Sequence, residues 1–349
     1  MPNTYDTKES VAKLAETEKA NSRYPQYMKN VDVATLLSPE NMDKAAEGGA
    51  SSGTDSETSK TLDIPMRDGY MSQLLIHRPK NSPKRSPLVV MIYGGGWTIG
   101  DNRQLNPISR TVSGLYGATV VNISYRLAPA HKFPAGPHDA WDNLKWIAAN
   151  YASLGANVDP GAGFVVGGAS AGANLAAVVA QKWLDEKASP PLTGLYLSIP
   201  VLLDEEIVPD RYRDLWFSRE QNANAVIVNA DAMKRLMETY EPDVRSPDYS
   251  PFNSKTPHVG LPPAYIDVCG QDPLRDDGLV YERALRDHGV KTRLRVYPGV
   301  PHGHVMFPGL KPGQKAVYGT IEGFGWLLGD EKTAEQLEKA VPGAYFGAA

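Results

Sequence analysis

From Ile64 onward the chain repeats short apolar runs closed by Gly or Pro, each followed by a stretch of helical spacing. Buried parallel strands read as continuous apolar runs and their crossovers need helices, so the pattern predicts a mostly parallel sheet covered by helices. Strands are expected at Met71–His77, Pro87–Tyr93, Thr119–Ser124, Gly163–Gly167, Gly194–Ile199, Ala264–Cys269 and Thr292–Tyr297. Helices are expected at Gln104–Tyr116, Pro137–Asn150, Gly172–Asp185, Leu279–His288 and Gln314–Leu328. Two regions break the rhythm. The N-terminal part, 1–61, carries a charged amphipathic stretch at Thr7–Arg23, a weaker helix after Ser38, and a Gly/Ser/Thr/Asp-rich connection at Glu47–Thr61. It precedes a main domain at 62–349, within which 202–254 mixes charged residues with Tyr212, Trp216 and Phe217 and holds a helix at Asp231–Tyr240. An insertion on the carboxyl side of a sheet is expected to form a lid over a pocket.

Composition narrows the function. With 36 Lys and Arg against 40 Asp and Glu, net charge −4 and no basic run, neither nucleic acid nor an anionic membrane surface is an expected partner. The single cysteine, Cys269, excludes an internal disulfide and a cysteine-based zinc site. With a polar N-terminus lacking a secretory pattern, this leads to a cytoplasmic expectation. The uncharged stretch from Gly163 to Ala180 is as long as a membrane span but is interrupted by Gly, Ser and Asn, so it reads as a buried strand and helix.

The chemistry-bearing residues fall at strand ends. Gly168-Ala-Ser170-Ala-Gly172 joins an apolar strand to a helix; the glycines permit a sharp turn that presents Ser170, and the helix N-terminus favours developing negative charge. Serine needs a base, and His258, His288, His302 and His304 follow it. His302 lies on a loop directly after the last strand and is the candidate base, with His304 as competitor. Asp272 comes first after the strand Ala264–Cys269 and is the candidate acid; Asp276 and Asp277 suit helix capping, and Asp267 lies inside the strand. After Tyr93, Gly94-Gly95-Gly96 leaves backbone N–H groups unshielded, so these glycines with the amide of Ala171 are candidate oxyanion donors. No phosphate-binding or dinucleotide glycine motif is present.

Tyr93-Gly-Gly-Gly-Trp97, Tyr125-Arg-Leu-Ala-Pro129, Phe133-Pro-Ala135, Gly168-Ala-Ser-Ala-Gly172, Asp272-Pro-Leu-Arg-Asp276 and His302-Gly303 stand in the order of the hormone-sensitive-lipase family of α/β-hydrolases, which the chain resembles from Ile64 to Leu328. The resemblance implies an α/β-hydrolase fold, carboxylesterase activity on a small-molecule ester, no cofactor, and a cap built from the N-terminal helices and the insertion. It also implies a triad of Ser170, Asp272 and His302, a loop-holding role for Arg126, and a homodimer through a sheet edge. The family carries histidine where Tyr93 stands. Tyr93, Trp97, Trp216 and Phe217 are expected to line an apolar pocket suited to a small or medium acyl or alkyl group.

Overall fold

The computed structural model describes residues 5–16, 57–307 and 311–341. Eight strands form one sheet: β1 (Glu57–Pro65), β2 (Met71–Pro79), β3 (Leu88–Ile92), β4 (Thr119–Ile123), β5 (Phe164–Ala169), β6 (Gly194–Ser198), β7 (Ala264–Cys269) and β8 (Thr292–Tyr297). Their order is β1-β2-β4-β3-β5-β6-β7-β8, antiparallel at β1/β2 and β2/β4 and parallel from β4 onward. The helices are α1 (Lys8–Ala12), α2 (Asn106–Tyr116), α3 (Ala135–Leu154), α4 (Ala171–Asp185), α5 (Ser218–Gln221), α6 (Ala230–Tyr240), α7 (Arg275–Asp287), α8 (Lys311–Leu328) and α9 (Ala334–Ala340).

Alternation along the strands builds two cores. Leu88, Val90 and Ile92 of β3 face Trp141, Leu144 and Trp183 of α3 and α4. Val89 and Met91 face Val112 of α2 and Val317, Ile321 and Phe324 of α8. Both sheet faces are therefore covered, which is why β3, β4 and β6 are buried at every position. The expected strand and helix at Gly163–Ala180 are β5 and α4, and no helix among the described residues is long and apolar enough to cross a membrane.

Two expectations are corrected. The connection expected to run to Thr61 instead gives way at Glu57 to β1, which pairs with β2 along its whole length. As an edge strand β1 needs few inward apolar residues, and Ile64 with Leu62 suffices, so its Ser, Lys and Thr positions read as loop. Helix α7 starts at Arg275, one turn before the expected Leu279, because Asp276 and Asp277 occupy its first turn and not a preceding loop. The weaker helix after Ser38, the connection before Glu57 and the N-terminal stretch beyond Glu16 lie outside the described residues.

Candidate active site

Strand β5 ends at Ala169 and α4 starts at Ala171, leaving Ser170 alone to reverse the chain with φ 55° and ψ −119°. Positive φ is costly for a residue with a side chain and is retained where the surroundings impose it. Here the surroundings are backbone: a Cβ at Gly172 would sit on the carbonyls of Ile92 and Tyr93, and one at Gly168 on the backbone of Gly172. The Ser170 amide donates to Ser198 O at 2.8 Å, and Ser170 O accepts from the Asn174 amide at 3.0 Å.

Ser170, His302 and Asp272 form a continuous hydrogen-bonded row. His302 Nε2 lies 2.9 Å from Ser170 Oγ, and His302 Nδ1 lies 2.7 Å from Asp272 Oδ2. A carboxylate only accepts, so Nδ1 carries the proton and Nε2 accepts from the serine hydroxyl. Asp272 is fully buried, and its other oxygen takes the Leu274 amide at 2.8 Å. His304, the competing base, is turned away: its Nδ1 faces Cys269 Sγ at 3.1 Å, and burial pushes its pKa down to about 3.

The alternative acids have other work. Asp277 accepts from the Leu202 and Leu203 amides, Trp216 Nε1 and Arg219. Asp276 accepts from the Phe217 and Ser218 amides and pairs with the buried Arg275. Asp267 accepts from Ser198 and Tyr196, and burial raises its pKa to about 6. All three stitch the insertion or the sheet together.

The glycine loop packs against Ser170: a Cβ at Gly94 would lie 3.2 Å from Ser170 Cβ. Gly94 departs from expectation as a donor, because its amide is taken by Gln104 Oε1 at 2.7 Å. The amides of Gly95, Gly96 and Ala171 have no acceptor among the described residues. Gly95 and Gly96 hold φ of 117° and 59°, conformations favoured by glycine. Carbonyl Gly95 O closes the turn by accepting from the Thr98 and Ile99 amides.

The four residues expected in a pocket are placed as follows. Tyr93 and Tyr125 stack at 4.4 Å, and each hydroxyl donates to the other's carbonyl, at 3.1 and 3.2 Å. Tyr93 therefore braces the start of the glycine loop from within the core, and burial raises its pKa. Trp97 is buried and stacks on Tyr240 at 4.4 Å and 4°. Trp216 donates to Asp277 of α7, and Phe217 lies beneath Arg275 of α7 and Lys8 of α1. Arg126, bonded to Asp139 through its amide and guanidinium and to Asp68, ties its loop to α3 and to the turn between β1 and β2.

Sequence reasoning missed Gln104, Asn222 and Leu236. Asn222 donates to the carbonyls of Gly270 and Asp272, at 3.2 and 3.0 Å, so the insertion grips the acid loop. None of the three sits in a motif, and only an inventory of polar and apolar positions on the insertion would have raised the last two.

Residues 89–306 match the family model described as the alpha/beta hydrolase fold. The chain belongs to that family. Within it, the chain falls in the hormone-sensitive-lipase, carboxylesterase-like group. This hydrolase is 38% identical to an AB hydrolase superfamily protein of Schizosaccharomyces pombe over 77% of its own length and 79% of the relative's. It is 35% identical to carboxylesterase NlhH of Mycobacterium tuberculosis over 70% of its length and 72% of the relative's. Among solved structures, vibralactone cyclase superposes with a TM-score of 0.83 at 30% identity, covering 91% of the hydrolase and 96% of that chain.

Proposed function

We propose that this hydrolase cleaves carboxylic esters of small to medium acyl or alkyl groups through an acyl-enzyme on Ser170. The observation that carries the reading is the row Ser170–His302–Asp272, with contacts of 2.9 and 2.7 Å, beside a glycine loop whose Gly95 and Gly96 amides, like that of Ala171, have no acceptor among the described residues. His302 takes the proton from Ser170 as its oxygen attacks the ester carbonyl, and Asp272 stabilises the imidazolium that forms. The amides of Gly95, Gly96 and Ala171 receive the oxyanion, helped by the N-terminus of α4. His302 then protonates the departing alcohol, water repeats the attack, and the acid leaves. The insertion, with the N-terminal segment, acts as the cap over this site.

The test is hydrolysis of p-nitrophenyl esters by the wild type and by Ser170→Ala, in which turnover is expected to fall by about a thousandfold or more. A mutant that keeps its turnover would refute the acyl-enzyme. The likeness to vibralactone cyclase supports a second reading, ring closure with His302 as base, for which activity should survive Ser170→Ala. The near-neutral charge balance and single cysteine support a cytoplasmic enzyme without a nucleic-acid partner, and the outer edge of β8, which no strand among the described residues pairs, is where a homodimer would form.

A further inference from the structure

Helix α6 brings Met233, Leu236, Met237 and Tyr240 onto one face, the i, i+3, i+4, i+7 spacing of an apolar stripe. Its last residue anchors it: Tyr240 stacks flat on Trp97, directly after the glycine loop, and Tyr240 O accepts from the Phe133 amide at 3.1 Å. One turn earlier, Leu236 covers Gly96. A Cβ placed on that glycine would meet Leu236 Cδ2 at 2.5 Å and Cδ1 at 2.9 Å, so the leucine fills the space that a side chain there would take. Met233 and Met237 pack half-buried against the same core. The helix is thus docked, by ring stacking and a leucine, on one of the amides proposed to bind the oxyanion.

We infer that this face of α6 is the wall of the acyl subsite and that Leu236 sets the length of acyl chain accepted. The inference rests on the esterase reading above and deepens it. Sheet order assigns the side. The alcohol oxygen must lie within reach of His302 Nε2 to receive its proton, and His302 follows β8 at one edge of the sheet. Gly96 follows β3, on the opposite flank of the strand carrying Ser170. With the carbonyl oxygen in the glycine loop and the alcohol toward His302, the acyl carbon chain is left to run beneath α6. There it meets Leu236 first and the two methionines beside it. Methionine adapts its shape to what it packs against, whereas Leu236 lies directly over Gly96, so the limit falls at Leu236. The substrates are esters of short aliphatic acids, and the alcohol portion is limited elsewhere.

The experiment measures kcat/KM for p-nitrophenyl acetate, butyrate, hexanoate and octanoate with the wild type, Leu236→Ala and Leu236→Phe. A parallel series uses the acetates of butanol and octanol. In Leu236→Ala the octanoate-to-acetate ratio should rise about tenfold or more, the discrimination that pocket methylenes carry. Leu236→Phe should lower the butyrate-to-acetate ratio, and the alcohol series should keep its wild-type ratio in both variants. Unchanged acyl ratios in variants that still turn over acetate would overturn the inference while leaving the esterase reading intact. So would a shift confined to the alcohol series. Absence of turnover by the wild type on every ester overturns both.

Discussion

Ser170 and the hydrogen-bonded pair Asp272–His302 are held in different ways. Ser170 and the glycine loop are fixed by backbone packed on backbone, with Gly168 and Gly172 pressed against each other and against the end of β3. Asp272 and His302 sit on loops held by stitches from chain segments remote in sequence. Asp277 and Asp276 grip the insertion from 202 to 219, Asn222 returns to the carbonyls of Gly270 and Asp272, and the N-terminal turn reaches the same loops. Leu14 O accepts from the Gly299 amide at 2.9 Å, and Ala15 O accepts from Gln271 Nε2 at 3.1 Å. Close packing has no slack and fails all at once. A set of hydrogen bonds loosens one member at a time.

The sharpest break should come at the packed side. Gly172→Ala drives a methyl group into the carbonyls of Ile92 and Tyr93 at the end of β3, so backbone must shift to admit it. Overpacking of a core commonly costs about 1–3 kcal/mol and more where backbone must shift, so loss of folded protein is expected, read as soluble yield and thermal midpoint. A variant with the wild-type midpoint would show that the elbow has slack after all.

On the stitched side the largest single loss should follow Asp277→Ala. Four donors converge on this buried carboxylate, one of them the guanidinium of Arg219, and removing one partner of such a pair typically costs about 3–5 kcal/mol. The cost should be local: the denaturation midpoint falls, and limited proteolysis first cuts within 202–229, before the sheet opens. Simultaneous cleavage everywhere would mean that the insertion and sheet are one cooperative unit.

Acid sensitivity enters through two buried histidines, one of them beside His302. Burial pushes His304 and His258 from 6.5 down to about 3, so below pH 6.5 the unfolded chain takes up protons that the folded one refuses. Each therefore contributes stability that is present above pH 6.5 and is lost as pH falls toward 3, at about 1.4 kcal/mol per pH unit. Asp267 has the opposite sign. Its carboxyl is raised from 3.8 to about 6, so its contribution is full below pH 3.8 and is lost as pH rises through 6. Between pH 5 and 6 one histidine is offset by Asp267 and the other remains. As pH falls from 6 to 5, urea unfolding should therefore lose about 1.4 kcal/mol more stability in the wild type than in His304→Phe. Equal slopes in the two proteins would mean that His304 is protonated in the fold.

The same contrast explains what the sequence made legible. Ser170, Asp272, His302 and the glycine loop, which the structure brings together, all lie within a few residues of a strand end, where local apolar runs and glycines mark them. Seven of the eight strands could be read for the same reason. What escaped was carried by contacts between distant segments or by residues with no local signature. Gln104 claims the Gly94 amide from ten residues away, Leu236 reaches Gly96 from the insertion, and Trp216 and Phe217 are drawn toward α7 by Asp277 and Asp276. β1 escaped because a polar edge strand and a polar linker have one composition.

The mildest test of the comparison is Gln271→Ala, which cuts one stitch between the N-terminal turn and the acid loop. Its amide nitrogen bonds Ala15 O, while the Gln271 backbone amide, bonded to Val300 O at 2.9 Å, is untouched. One neutral hydrogen bond is worth about 1 kcal/mol, so the thermal midpoint should drop by only a few degrees. The telling quantity is the split between kcat and KM. If the N-terminal turn steadies the Asp272–His302 contact, kcat should fall roughly fivefold at constant KM, the kinetic equivalent of that same energy. If the turn only covers the protein surface, the midpoint will move and kcat will not. The second outcome would make the acid loop as self-sufficient as the nucleophile elbow, and the difference between the two sides would then be one of stability alone.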